Sequence, residues 1–201
     1  TVDLDGDRVK SIFNWYRNGS SITLFNLPFE GINDSTIYNI WDYSGFRQNV
    51  TPSLVSAELS WNGTGGYDGA GAYKFTGGKS VFMNTTAPPF TPTQNFTLTV
   101  WAYKDVLQTG RRGVVTTNPY YSTDNFGIFS STNAWYVQVI GGTADVSINS
   151  SQINYGSWTH LALVYDTAAT NKVQFYINGT LASSSASNPG VLTTRGLHLG
   201  N

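Results

Sequence analysis

From Phe96 to Tyr103 the chain reads Phe-Thr-Leu-Thr-Val-Trp-Ala-Tyr, so Phe96, Leu98, Val100 and Ala102 fall on one side of an extended backbone. Successive side chains of a strand point to opposite faces, and a segment of this kind has one face to bury. Trp135, Val137 and Val139 repeat the alternation in AWYVQVI, and Val173, Phe175 and Ile177 repeat it in KVQFYIN, each with more polar partners between. Ser157 to Asp166, SWTHLALVYD, is apolar on both sides and predicts a central strand covered on both faces. Asn178-Gly179 lies between two β-type runs; both residues tolerate positive φ, so the pair predicts a tight hairpin. The glycine clusters GTGGYDGAGAY, TGG and IGG mark turns or close backbone approaches. An apolar period of 3.6 is not sustained over any comparable length. An all-β fold of two packed antiparallel sheets follows from these spacings.

The chain of 201 residues is long enough for one domain with a real core, and 40% hydrophobic residues, with 14% aromatics, suffice to fill it. Lys and Arg together number 11 against 12 for Asp and Glu, which is not the basic surplus that phosphate backbones demand. Nucleic acid is therefore not an expected partner. No apolar run reaches the ~18 residues of a membrane span, and the opening residues TVDLDGDR lack the apolar stretch of a signal peptide, as expected of a processed chain or a piece of a longer one. With no cysteine, disulfides and thiolate metal sites are excluded together.

Asn-x-Ser/Thr recurs at Asn18, Asn33, Asn49, Asn62, Asn84, Asn95, Asn149 and Asn178, never with Pro in the middle. Attached sugar would keep so weakly charged a surface soluble, and the Thr/Pro segment TTAPPFTPT at 85–93 also suits O-linked sugar. The expectation is an extracellular or cell-surface glycoprotein. Asn62, Asn84 and Asn178 stand beside turn residues and are the best acceptors, whereas Asn95 directly precedes an apolar strand.

The middle and end of the chain resemble the laminin G-like, concanavalin A-like jelly-roll modules of secreted and surface proteins. The resemblance rests on GYDGAGAYKFTGGKSVFM (66–83), NFTLTVWAY (95–103), GSWTHLALVYD (156–166), KVQFYINGTLAS (172–183) and LHLGN (197–201), in that order. It implies a two-sheet jelly-roll sandwich over residues 28–201, from which the family's last strand or strands are missing. Thr76 and Ser80 stand where many relatives carry acidic residues, so the resemblance brings no charged metal site to that turn. Residues 1–27 form a separate unit. Within it, Lys10 to Leu27 is a second strand-turn-strand pattern, and Phe-Asn-Trp-Tyr-Arg-Asn-Gly resembles a hairpin of immunoglobulin-like repeats.

Catalytic chemistry finds little support. A retaining glucanase needs two carboxylates roughly 5 Å apart across the sugar, and the two glutamates, Glu30 and Glu58, lie in different segments. His160 and His198 sit in strands without a nucleophile motif or a metal-binding companion, which favours packing roles. Asp3, Asp5 and Asp7 around Gly6 are a weak calcium candidate that lacks a bidentate glutamate downstream. Of Trp15, Trp41, Trp61, Trp101, Trp135 and Trp158, most are expected in the core, with Trp41 and Trp61 exposed.

Two functions remain. The first is a non-catalytic structural subunit that assembles with copies of itself into a fibre, one copy's N-terminal strand pair completing a neighbour's sheet through Ile12, Phe13, Trp15, Ile22, Leu24 and Phe25. The alternative is a carbohydrate-binding, lectin-like adhesion module, with calcium as its only conceivable cofactor.

Overall fold

The computed structural model describes residues 13–29, 40–50, 59–76, 81–82, 95–105, 109–117, 125–140, 145–150, 153–189 and 197–200. Its strands, in chain order, are β1 (Tyr16–Arg17), β2 (Ser20–Ser21), β3 (Leu59–Asn62), β4 (Ala72–Phe75), β5 (Val81–Phe82), β6 (Phe96–Tyr103) and β7 (Arg112–Thr116). They continue with β8 (Asn125–Ser130), β9 (Trp135–Ile140), β10 (Asp145–Asn149), β11 (Trp158–Tyr165), β12 (Val173–Ile177), β13 (Thr180–Ser185) and β14 (His198–Leu199). Pairing is antiparallel throughout and builds a four-stranded sheet, β13-β12-β11-β6, and a six-stranded sheet, β10-β9-β8-β7-β14-β5. Two short pairs, β1-β2 and β3-β4, complete the described structure.

Alternation decides which side chains meet between the sheets. Phe96, Leu98, Val100 and Ala102 of β6 turn inward, level with Tyr165, Leu163, Leu161 and Thr159 of β11. Across the core stand Phe126 and Ile128 of β8 and Trp135, Val137 and Val139 of β9, all fully or nearly fully buried. Phe96 seals one end, its ring 4.5 Å from that of Phe126 and 5.6 Å from that of Tyr165. A second cluster, Ile40, Val50, Leu59, Val115 and Leu199, extends the core under the chain's earlier segments. Asp42 ties those segments down. Its buried carboxylate accepts the backbone N–H groups of Asn26, Ser44 and Gln48 at 2.8–2.9 Å and the Ser44 hydroxyl at 2.7 Å. The Asn178-Gly179 hairpin forms as its residues predict, with φ of 49° and 79°.

Two expectations change. The strand at 158–165 is central, between β6 and β12, but only its inner side is well covered: Trp158, His160 and Val164 on the outer side remain half-buried. The N-terminal strand pair shrinks to two residues on each side of the Asn18-Gly19 turn, extended by Ile22 N–H donating to Trp15 O at 2.9 Å. Leu24 and Phe25 follow it outside any strand, half-buried, and Ile12 lies outside the described residues. In the six-stranded sheet β14 is an inner strand paired to both β7 and β5.

A candidate sugar-binding face on the four-stranded sheet

Because alternate residues of β6 turn inward, Trp101 and Tyr103 turn out. Register then sets His160 of β11 beside Trp101 and Trp158 beside Tyr103. The ring centroids are 5.1 Å apart in the first pair and 5.5 Å in the second, and both pairs are tilted. Cross-strand aromatic neighbours of this sort normally bury each other, yet Trp101 keeps 40% and Tyr103 48% of its surface in solvent. A fifth ring comes from the glycine-rich turn between β3 and β4. Tyr67 lies flat on Trp101, centroids 3.6 Å apart and planes 12° apart, and is itself 61% exposed. That turn is shaped by Gly66, at φ 86°, where a Cβ would come within 2.4 Å of the Gly71 carbonyl oxygen.

The polar surroundings are spare. Lys74 on β4 and Asp105 after β6 form an exposed ion pair at 2.9 Å, and the hydrogen bond that the ammonium donates to the Asp105 carboxylate holds the Lys74 pKa above the usual value. The hairpin secures the His160 end: Asn178 N–H donates to His160 O at 2.8 Å, and His160 N–H donates to Asn178 Oδ1 at 2.9 Å. Behind the face, buried Lys104 donates to Ser131 O at 2.6 Å, and desolvation, aided by Arg112, lowers its pKa. Among the described residues, the large exposed groups of this surface are the rings of Tyr67, Trp101 and Tyr103.

The outward side of the six-stranded sheet is a different environment. There Phe129 and Tyr136 stack with centroids 5.2 Å apart, under the Arg111 guanidinium at 4.5 and 4.3 Å from the two rings. Arg111 also donates to Gln138 Oε1. His198, Thr116, Gly127 and Gln138 form one register row across this side. The three side chains are buried, and burial lowers the His198 pKa to about 4.

The remaining sequence candidates scatter. Trp135 is the one buried tryptophan; Trp15, Trp41 and Trp101 are exposed, and Trp61, expected outside, is half-buried with Nε1 donating to Phe29 O at 3.3 Å. The core therefore takes fewer tryptophans than expected. Asn18, Asn49, Asn62, Asn95, Asn149 and Asn178 are all exposed. Asn62 Oδ1 accepts both the N–H and the hydroxyl of Thr64 at 3.1 Å. Asn95 is more engaged: its Nδ2 donates to Asp166 at 2.9 Å while Oδ1 accepts the N–H and hydroxyl of Thr167 at 3.0 Å. Asn33, Asn84, Glu30, Glu58, Asp3, Asp5 and Asp7 lie outside the described residues. Among the described residues no three His, Asp or Glu side chains stand together as metal ligands, and no helix is long and apolar enough to cross a membrane. Phe13, Trp15 and Ile22, proposed as assembly contacts, are largely exposed, and with Phe25 they border an apolar cleft of about 770 Å³ that opens beside Leu98 and Val100 of β6.

Two antiparallel sheets packed face to face, with this strand order and hairpin, define a concanavalin A-like sandwich. Residues 75–201 match the Laminin G 3 family model, described as the concanavalin A-like lectin/glucanases superfamily, and the chain belongs to that family. No curated protein matches it in sequence. Among solved structures it is similar to the binding domain of botulinum neurotoxin DC in complex with rat synaptotagmin II, at 14% identity and a TM-score of 0.54, over 89% of this chain and 44% of that one. The same toxin's binding domain in complex with SialylT gives 15% identity and a TM-score of 0.51, over 81% and 41%. A structure described by the dependence of botulinum neurotoxin type C cell entry on two ganglioside molecules gives 15% and 0.57, over 88% and 42%. At these identities the likeness is one of fold. The chain spans less than half the length of each.

Proposed function

We propose that this protein is a non-catalytic carbohydrate-binding module of a secreted or cell-surface glycoprotein, and that the outward face of the four-stranded sheet is its binding surface. The observation that carries the reading is the outward aromatic group: exposed Trp101 and Tyr103 on β6, half-buried Trp158 in register with Tyr103, and exposed Tyr67 stacked on Trp101 from the glycine-rich turn. Aromatic rings present a flat apolar surface that stacks on the C–H faces of sugars, and a sheet fixes their spacing before the ligand arrives. A family described as one of lectins and glucanases, and neighbours described in complex with SialylT or by cell entry that depends on two ganglioside molecules, support the same direction. Glycan-array screening followed by calorimetry tests it. Replacing Tyr103 and Trp158 together by Ala should abolish binding and leave the far-ultraviolet spectrum unchanged, whereas full binding by that variant rejects the site.

Self-assembly is a second reading, favoured by one observation: the largely exposed Phe13, Trp15 and Ile22 adjoin the apolar cleft beside β6, whose outer edge lacks a ladder partner among the described residues. Exposed apolar side chains next to an open strand edge are what strand exchange between copies consumes. Electron microscopy and light scattering decide it. Fibres that vanish in the Phe13→Asp, Ile22→Asp double variant support assembly; a monomer at every concentration rules it out.

A further inference from the structure

We infer that the aromatic face takes several consecutive rings of an extended, uncharged polysaccharide, and that Tyr67, with Trp101 as its support, supplies the outermost stacking surface. This rests on the carbohydrate-binding reading above and narrows it to a substrate class and a residue role. The first argument is shape. Trp101 and Tyr103 are two residues apart on β6, about 6.6 Å along the strand, and His160 and Trp158 repeat that step on the neighbouring strand about 4.8 Å away. The rings therefore form an open patch two strands wide, and Tyr67 adds a ring stacked on Trp101 of the edge strand β6. A single terminal sugar fills one such stacking position; a chain of rings fills them in sequence.

Charge points the same way. Among the described residues, the charged groups bordering the patch are Lys74 and Asp105, paired at 2.9 Å, and the exposed Asp68 beside Tyr67, whose Oδ1 accepts the Ala70 N–H at 3.0 Å. An acidic polymer meets a cation already paired to Asp105 and the negative charge of Asp68, so the surface favours a neutral chain over an acidic one. Stacking contacts also need no bridging ion, so recognition here does not depend on calcium.

Tyr67 has two conceivable roles, and its geometry separates them. One of its faces is spent on Trp101 at 3.6 Å, and the residue as a whole is still 61% exposed. Trp101 has one face stacked against Tyr67, and His160 stands tilted by 55° beside it with centroids 5.1 Å apart. The outermost stacking surface at this end of the patch therefore belongs to Tyr67, and the indole beneath keeps the tyrosine from tilting away. If Tyr67 were instead a lid over Trp101, removing it would improve binding.

The test measures retention of the whole chain on insoluble cellulose, chitin and curdlan, and on alginate beads as an acidic polymer, with and without EDTA, alongside calorimetry with the corresponding monosaccharides. The expected result is retention on at least one neutral polymer, unaffected by EDTA, with monosaccharides too weak to compete. Tyr67→Ala and Trp101→Ala each weaken it about tenfold, the worth of one stacked ring, while Leu181→Ala, exposed further along the same sheet, does not. Stronger retention of Tyr67→Ala overturns the platform role. Tight monosaccharide binding, loss of binding in EDTA, or retention on alginate alone overturns the substrate class while leaving carbohydrate binding intact. Failure to bind any glycan in the array or on the beads overturns both, as does a dimer in solution that Trp101→Ala converts to monomer, because a second copy would then occupy the face.

Discussion

Tyr103 with Trp158 on the four-stranded sheet and Phe129 with Tyr136 on the six-stranded sheet are the same device: directly opposed aromatic residues on neighbouring antiparallel strands, facing away from the core. Their centroids are separated by almost equal distances, 5.5 and 5.2 Å. Yet Tyr103 is 48% exposed and Phe129 only 4%. The difference lies in their company. Over Phe129 and Tyr136 sits a guanidinium anchored to Gln138, which converts an outward pair into buried structure. Beside Tyr103, Lys74 is turned to Asp105 and leaves the rings open. A cross-strand aromatic pair thus becomes structure or surface according to whether a neighbouring side chain covers it.

This contrast is broken most directly by truncating each pair in turn. Phe129→Ala should cost about 3–5 kcal/mol of unfolding free energy, read from urea denaturation, with glycan binding retained by whatever fraction stays folded. A loss within 1 kcal/mol, the roughly expected limit for an exposed site, would make the two faces equivalent.

Acid provides the next largest effect. His198 shares the covered side with Thr116 and Gln138, and its folded pKa of about 4 lies below the ordinary value of 6.5. The unfolded chain therefore binds the proton first. Stability from the neutral imidazole is complete above pH 6.5 and is lost as pH falls toward 4, by about 2 kcal/mol in all. Thermal melts of the protein and of His198→Gln from pH 7.5 to 4.5 check this: the variant should show a shallower acid decline, and parallel curves would refute it.

Gly127 sharpens the picture further. A Cβ there would come within 2.5 Å of the Val115 carbonyl oxygen and 2.8 Å of Thr116 Cα, in the middle of the six-stranded sheet. Gly127→Ala should cost about 1–2 kcal/mol, since backbone on the neighbouring strand has to shift. The smallest effect belongs to the open face. Tyr103→Ala should change stability by about 0.5 kcal/mol or less while weakening glycan binding severalfold, and a large stability loss there would mean the ring is structural.

Much of this architecture is legible in the chain. The alternation in Phe96 to Tyr103 names both the buried set and, by the same rule, Trp101 and Tyr103 as the outward set. Composition pulls the other way, because large aromatics are usually core, and for Trp101 local periodicity is the better guide. What alternation cannot supply is register across strands distant in sequence. That His160 lands beside Trp101, and that Tyr67 folds onto it from a glycine-rich turn, depends on pairings no short window contains. The N-terminal segment illustrates the converse. Its apolar residues suggest long strands, but Phe13, Trp15 and Ile22 find little to pack against, and a pairing without burial stops after two residues on each side.

The side-chain clasp at Asn95 adds a matter of timing. Asn95 stands immediately before β6, and its amide reaches Asp166 and Thr167, immediately after β11, so it closes the two paired strands at one end. The same amide nitrogen is the atom a glycosyltransferase would modify. In a host that glycosylates the chain, folding and modification therefore compete for one atom, and whichever acts first hinders the other. Occupancy at Asn95, measured by glycopeptide mass spectrometry, then works as a stopwatch: it should rise in slow-folding variants such as Phe129→Ala and stay low in the parent chain, while the untethered Asn149 does not respond.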